Sequence, residues 1–270
     1  MKKEKNSEMS FLEHLEELRW HIIRSLVAIM IFAVAAFIFK TVLFDIILLG
    51  PSNPHFFTNR AFCLVAEKMN IPALCINQEP LNIQNISMAG QFTMHLWVAF
   101  VSGIIIAFPY IFWEFWRFIK PALYPNEIKH SRGAIFFASS LFSIGVLFAY
   151  YVICPLSVNF LGYYQVSDRI ENVINLESYV STISSIILAC AVMFELPVLI
   201  YFLSKVGLVS SSFLKKYRRH AVILSLIVAT IITPPDVFSQ ILVCIPILGL
   251  YEGGILISKR VEKKKSIERL

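Results

Sequence analysis

Six apolar runs alternate with polar, basic segments, and this alternation is the strongest pattern in the chain. The runs cover residues 22–39, 91–116, 133–155, 179–204, 220–233 and 237–258. A helix needs roughly 20 apolar residues to cross a hydrocarbon core about 30 Å thick, whereas shorter runs are also typical of re-entrant or interfacial segments. Only the fifth run is clearly short. The pattern predicts helical membrane spans, with the fifth run to be decided by charge.

The basic residues divide unevenly between the two sides that six spans create. With both termini on one side, 20 of the 24 Lys and Arg residues lie on that side and 4 lie on the other. If the fifth run did not cross, the 6 basic residues of the tail would change sides and the division would weaken to 14 against 10. Because Lys and Arg accumulate in cytoplasmic loops, this division favours six spans with both termini in the cytoplasm.

Composition supports the same fold class. The chain is 57% hydrophobic and 16% charged, with a mean hydropathy of +0.69, far from the composition of an average soluble domain. The net charge of +6 is explained by membrane orientation, so nucleic acid is not expected as a partner. We predict an all-α integral membrane protein in contact with lipid. Residues 1–258 form one six-helix membrane domain, and residues 259–270 form a basic cytoplasmic tail.

The polar start of the chain predicts a further helix. Ser10 and Glu13 have the spacing of a capping box, and Phe11, Leu15 and Leu18 continue an apolar stripe at helical spacing. We expect an N-terminal amphipathic helix that lies along the inner membrane surface before the first span. The plain interpretation of the charges on its other face is a solvated polar surface with an i,i+3 pair between Glu16 and Arg19.

Other chemical signals are few. Cys63 and Cys75 both lie in a long external loop, where an oxidising compartment allows a disulfide; two free thiols are the alternative, and the sequence does not decide. The six His residues lack metal-ligand spacing, and no phosphate-binding glycine loop or GxSxG motif occurs. We therefore expect no metal, no cofactor and no enzymatic activity.

Several segments, in order along the chain, resemble motifs of TatC, the multispanning receptor of the twin-arginine protein translocase. Residues 14–19 (HLEELR) resemble its HLxELR signature, and residues 118–127 resemble its first cytoplasmic loop, FxxPALxxxE. Further similarities are found in residues 143–155, 194–197, 233–240 and 246–252. Together they extend over nearly the whole chain from residue 10 to about residue 257. The long external loop is longer than simple members of the family lead us to expect, and the tail after residue 258 carries no motif of the family.

The resemblance implies a function. Members of this family recognise signal peptides that carry two adjacent arginines. With TatA/TatB-type single-span subunits and further TatC copies, they move folded proteins across the bacterial cytoplasmic (inner) membrane, driven by the proton motive force.

The resemblance also implies a site. Glu17 and Glu127 are expected to bind the signal peptide, with Arg19, Phe118 and Pro121 beside them. A guanidinium is planar and always charged, and its donor fork matches two carboxylate oxygens, so two acids suit two arginines. Because exposed ion pairs contribute only about 0–1 kcal/mol, we expect both carboxylates to be partly desolvated. Arg19 is expected to orient one of them.

The remaining candidates have two explanations each. Glu195 lies inside an apolar run, where a carboxylate is costly; it either meets a partner's polar residue or the inserted signal peptide, or it is a protonated acid bonded to a neighbouring helix. Asp236 and Gln240 either cap the sixth helix or shape a partner-docking groove. Tyr251 and Glu252 either anchor the last helix at the interface or contribute to the same groove.

Two other protein classes were weighed. A proton-coupled membrane transporter would use Glu195 as its relay, but such carriers commonly show two related halves, and these spans do not. An intramembrane protease would need a nucleophile motif or paired aspartates within the membrane, and the sequence has neither.

Overall fold

The computed structural model describes residues 11–71, 75–79, 81–119, 131–167, 169–170, 172–232 and 237–268, with the backbone alone described for residues 11–14, 131–132, 237–239 and 264–268. Nearly all of the described chain is helical. In chain order the helices are α1 (Phe11–Ile38), α2 (Phe57–Met69), α3 (Gly90–Ile119), α4 (Ser131–Phe148), α5 (Cys154–Tyr163), α6 (Leu176–Phe194), α7 (Leu196–Val206), α8 (Ser211–Lys216), α9 (Arg218–Ile232) and α10 (Val237–Glu268).

Five helical segments of the described chain are long and apolar enough to cross a membrane. They are Leu15–Ile38, Gly90–Ile119, Gly133–Tyr163, Leu176–Val206 and Gln240–Lys263. These segments confirm the predicted helical, multi-pass architecture. Helix α9, which corresponds to the short fifth run, has 15 residues and is not among them.

Helix α1 continues from Phe11 to Ile38 without interruption. The sequence predicted a surface helix followed by a turn into the first span. The helix does not turn, because no Gly or Pro occurs between Phe11 and Ile38 to interrupt it. Its first turns and the first span are therefore one rigid element.

Helix α1 packs closely against α3. A Cβ atom on Gly103 would lie 2.7 Å from the Ile29 carbonyl oxygen and 2.9 Å from the Ala33 nitrogen. Only glycine allows this approach of the two backbones.

Prolines explain the irregular third and fourth spans. The third contains a π-helix, Ala149–Ile153, between α4 and α5, and it ends two residues before Pro155. Because proline lacks an N–H and clashes with the carbonyl four residues earlier, the helix adjusts there by widening. The fourth span is divided at Glu195, two residues before Pro197.

Helix α10 extends beyond the apolar run that ends at residue 258, because residues 259–268 continue the same helix. The part that was predicted as a separate tail is thus helical for most of its length. Its Glu262 side chain accepts hydrogen bonds from the Ser211 N–H at 2.7 Å and the Ser211 hydroxyl at 2.5 Å. This contact fixes α8, at the start of its first turn, to the end of α10.

The largest buried cluster lies where α5 and α6 meet the segment after α1. Ile153, Val180, Ile183 and Ile186 are almost fully enclosed in it. Over this cluster the segments that connect the first to the second span and the third to the fourth form a cap, in which β1 (Ile83–Gln84) and β2 (Ile174–Asn175) pair in parallel. A disulfide joins Cys63 to Cys75 and holds α2 to the next segment.

Candidate functional site

One face of α1 carries three ionisable side chains at helical spacing, Glu17, His21 and Arg24. Residues four and seven positions apart lie on the same side of a helix, and here that side faces α3. Glu17 is half-buried, and its Oε2 atom is enclosed without a hydrogen-bond partner in the described part of the chain. Since an unpaired carboxylate oxygen is costly to bury, Glu17 is an acceptor that a cationic donor would stabilise.

Four residues further along α1, His21 forms a buried pair with Glu114 of α3. The His21 Nδ1 atom and the Glu114 Oε2 atom are in close hydrogen-bond contact, and the two side chains are only 9% and 1% exposed. The pair joins residues that are 93 positions apart in sequence. It therefore fixes the rotation of α1 against α3, and with it the direction in which Glu17 points.

Glu114 has further partners. The Tyr110 hydroxyl donates to Oε1 at 3.0 Å, Arg117 Nη1 lies 3.6 Å from Oε1, and Arg24 Nη1 lies 3.9 Å from Oε2. Both guanidinium groups are about half exposed, and that of Arg117 also lies 4.9 Å from the centre of the Trp113 ring. Glu114 is thus satisfied by groups of this chain, whereas the Oε2 atom of Glu17 has no hydrogen-bond partner among the described residues.

The other predicted site residues are distributed around this pair. Phe118 packs its ring edge-on against His21, with ring centres 6.1 Å apart. Arg19 pairs with Glu16 at 3.5 Å, with both side chains more than 60% exposed, which is the i,i+3 pair of the plain interpretation. Glu127 and Pro121 lie outside the described residues.

Glu195 occupies the break between α6 and α7. Its backbone ends one helix and begins the next, and both of its carboxylate oxygens are enclosed. Neither oxygen has a hydrogen-bond partner of good geometry among the described residues. One explanation of Glu195 was a protonated acid that is hydrogen-bonded to a neighbouring helix. The described residues form no such bond with it.

The three described candidates on α10 make contacts within the chain. The Gln240 amide donates to the Thr230 hydroxyl at 2.6 Å, and the Tyr251 hydroxyl donates to the Leu214 carbonyl at 2.8 Å. The Glu252 carboxylate accepts hydrogen bonds from both Nε and Nη2 of Arg218, at 2.6 and 2.7 Å. These contacts tie α8 and α9 to α10. Asp236 lies outside the described residues.

Comparison with known proteins adds a decisive observation. A family model described as Sec-independent protein translocase protein (TatC) matches residues 13–246. This chain belongs to the TatC family. It is similar to the Sec-independent protein translocase protein TatC of Blattabacterium sp. subsp. Periplaneta americana (strain BPLAN), with 45% identity over 98% of this chain and 100% of that protein.

Solved structures of TatC resemble the fold described above. A crystal structure of the twin-arginine translocase receptor TatC has 29% sequence identity and a TM-score of 0.68, over 93% of this chain and 100% of that one. A second crystal structure, of the same receptor in DDM, gives a TM-score of 0.71 over 91% and 99% of the two chains. The chain is therefore a multi-pass component of the Tat translocase, in a family of transport proteins rather than enzymes.

Glu114, at the centre of this candidate site, was not predicted. It lies between aromatic residues near the end of the second apolar run. An acid inside a predicted span is itself a signal, because such groups are costly unless paired. His21 could also have been found, since it follows Glu17 by one helical turn. That the two residues pair is a tertiary fact that no local pattern contains.

Proposed function

We propose that this TatC chain is a twin-arginine signal-peptide receptor and core subunit of the Tat translocase. It exports folded proteins across the bacterial cytoplasmic (inner) membrane using the proton motive force. Its partners are twin-arginine signal peptides, TatA/TatB-type single-span subunits and further copies of TatC. The observation that carries the proposal is the half-buried carboxylate of Glu17 on α1, whose Oε2 atom has no hydrogen-bond partner among the described residues, in a chain of this family.

The proposal includes a topology of six spans with both termini in the cytoplasm. Helix α9 is the short fifth crossing, and the division of 20 basic residues against 4 supports it. A helix of only 15 residues, which begins with Arg218 and Arg219, is accommodated by local bilayer thinning or by flanking side chains. Residues 1–258 then form the membrane domain, and residues 259–270 the cytoplasmic extension.

The chemistry of recognition follows from the surroundings of Glu17. A guanidinium that donates to its Oε2 atom removes the cost of an unpaired oxygen and forms a charge-assisted hydrogen bond. Glu114 does not compete for the ligand because His21, Tyr110 and two arginines already surround it. Glu127 is proposed to bind the second arginine, and Phe118 and Pro121 to border the peptide. Arg19, paired with Glu16, is proposed as a border residue as well.

The polar groups on the last four helices are proposed to support partner binding. Glu195, with two enclosed oxygens and no good hydrogen bond among the described residues, is the candidate contact for a partner's polar group. Gln240, Tyr251 and Glu252 hold α8, α9 and α10 together, and Asp236 is the turn residue beside them. In this proposal they shape the groove between the fifth and sixth spans.

The test is binding of a twin-arginine peptide to the purified chain, with a Lys-Lys peptide for comparison. Glu17→Gln should weaken Arg-Arg binding about 10- to 100-fold, as expected for the loss of a charged hydrogen bond of about 1.5–3 kcal/mol. Glu127→Gln should have a similar effect. The matched control is Glu16→Gln, one residue away on α1, exposed and paired with Arg19, which should leave binding unchanged.

Two results would contradict the proposal. One is equal affinity of the wild type for Arg-Arg and Lys-Lys peptides, since the donor fork would then play no part. The other is unchanged Arg-Arg binding by a folded Glu17→Gln, Glu127→Gln double variant.

A further inference from the structure

A cavity of about 520 Å³ lies at the opposite end of the α1–α3 pair from Glu114. It forms where α1 has ended at Ile38 and the chain turns through a π-helix, Val42–Leu48, beside the first turns of α3. The lining residues are Lys40, Thr41, Phe44, Asp45, Leu49, Gln91, Phe92, His95 and Leu176. Because two membrane spans end here, the cavity lies at the level of the lipid headgroups.

One wall of the cavity is fixed by His95. Its ring stacks on Phe37 with the ring centres 3.9 Å apart, and its Nε2 atom donates to the Phe37 carbonyl oxygen at 3.0 Å. Phe44 meets the same ring edge-on. The wall is therefore preformed, which lowers the entropic cost of binding a ligand.

The cavity presents one positive and one negative charge. Lys40 and Asp45 are both exposed, and across the described ranges neither takes part in an ion pair or a side-chain hydrogen bond. The Thr41 hydroxyl and the Gln91 amide add uncharged polar groups to the lining. A ligand that satisfies this cavity carries both charges itself, on groups a few bonds apart.

We propose that this cavity binds the headgroup of a phosphatidylethanolamine lipid. The phosphate oxygens accept hydrogen bonds from the Lys40 ammonium, and the primary ammonium of the headgroup donates to the Asp45 carboxylate. Phe92, Leu49 and Leu176 offer apolar surface to the glycerol and the first acyl carbons. Phosphatidylcholine has no N–H to donate to Asp45, and phosphatidylglycerol has no cation. The inference is independent of the signal-peptide site.

The experiment measures lipid binding to the purified full-length chain by native mass spectrometry. Phosphatidylethanolamine, phosphatidylcholine and phosphatidylglycerol with identical acyl chains are added at equal concentration. Phosphatidylethanolamine should bind about tenfold more tightly than the other two, a ratio that corresponds to about 1.4 kcal/mol. Asp45→Asn should remove this preference, and Lys40→Gln should weaken phosphatidylethanolamine and phosphatidylglycerol alike.

The matched controls are Glu67→Gln and Lys68→Gln. These residues form an exposed acid and base on α2, outside the cavity lining, and their substitution should change nothing. An undiminished preference in Asp45→Asn, or equal binding of the three lipids to the wild type, would overturn the proposal. Displacement of the lipid by an equal concentration of water-soluble glycerophosphoethanolamine would also overturn it, because the cavity would then be a site for a soluble ligand.

Discussion

The buried pair of His21 on α1 and Glu114 on α3 predicts how single and double substitutions change the free energy of unfolding. His21→Leu removes the only close partner of Glu114 Oε2 in the described structure. It leaves Arg24, 3.9 Å from that oxygen, and Arg117, 3.6 Å from Oε1, as the nearby cations. Loss of one partner of a buried pair costs about 3–5 kcal/mol. The two half-exposed arginines compensate little, because pairs of that kind contribute about 0–1 kcal/mol each. We expect the free energy of unfolding to fall by about 3 kcal/mol.

Adding Glu114→Leu to His21→Leu should restore stability. The second substitution removes the unpaired buried carboxylate, and replacing a buried ion pair with apolar side chains is often neutral or favourable. What remains is the Tyr110 hydroxyl without its acceptor, at a cost of about 1 kcal/mol. The double variant should therefore unfold at a free energy about 2 kcal/mol above that of His21→Leu.

The assay is unfolding of the detergent-solubilised chain in denaturing mixed micelles, followed by tryptophan fluorescence. Glu16→Gln serves as control, because its exposed pair with Arg19 should matter by less than about 0.5 kcal/mol. A double variant that is no more stable than His21→Leu would refute the reasoning. It would mean that His21 and Glu114 do not depend on each other for burial.

Two further predictions concern helix packing and the cap that contains α2. Gly103→Leu should lower the free energy of unfolding by about 1–3 kcal/mol, because the added Cβ atom would contact the Ile29 carbonyl oxygen. Gly249→Leu is the control and should have little effect, because the space around Gly249 is open. Equal decreases in melting temperature for the two variants would contradict the argument from close backbone approach. Cys63→Ser should cost about 2–4 kcal/mol through the lost cross-link. Reductant should destabilise the wild type in the same unfolding assay and leave this variant unchanged, and a wild type that ignores reductant would argue against the bond.

Hydropathy predicted the spans well because the lipid environment is encoded residue by residue. The run at 91–116 became a helix from Gly90 to Ile119, and Pro109 within it did not end the helix. The predicted separation of a surface helix from the first span was wrong, since the chain between Phe11 and Ile38 contains no helix breaker. A change from polar to apolar residues along a helix shows where it passes from water into lipid, but it does not by itself bend the helix.

The site was predicted only in part. Glu17 came from a motif, and its half-buried, open carboxylate agrees with the expectation of partial desolvation. The pairing of His21 with Glu114 depends on how α1 rotates against α3, which is set by the close contact at Gly103 and not by any local sequence pattern. The pair between Arg19 and Glu16 is the plain alternative that three-residue spacing on a helix predicts, and the orientation of a binding carboxylate by Arg19 stays a prediction.

The unbroken course of α10 gives the last span a lever arm. Ten residues of helix beyond position 258 reach about 15 Å further along the same axis, so a small tilt within the bilayer becomes a larger sideways displacement at the far end. Because Glu262 accepts two hydrogen bonds from Ser211, α8 moves together with this part of α10. Reorientation of this last span would thus be transmitted mechanically to the surface where α8 lies.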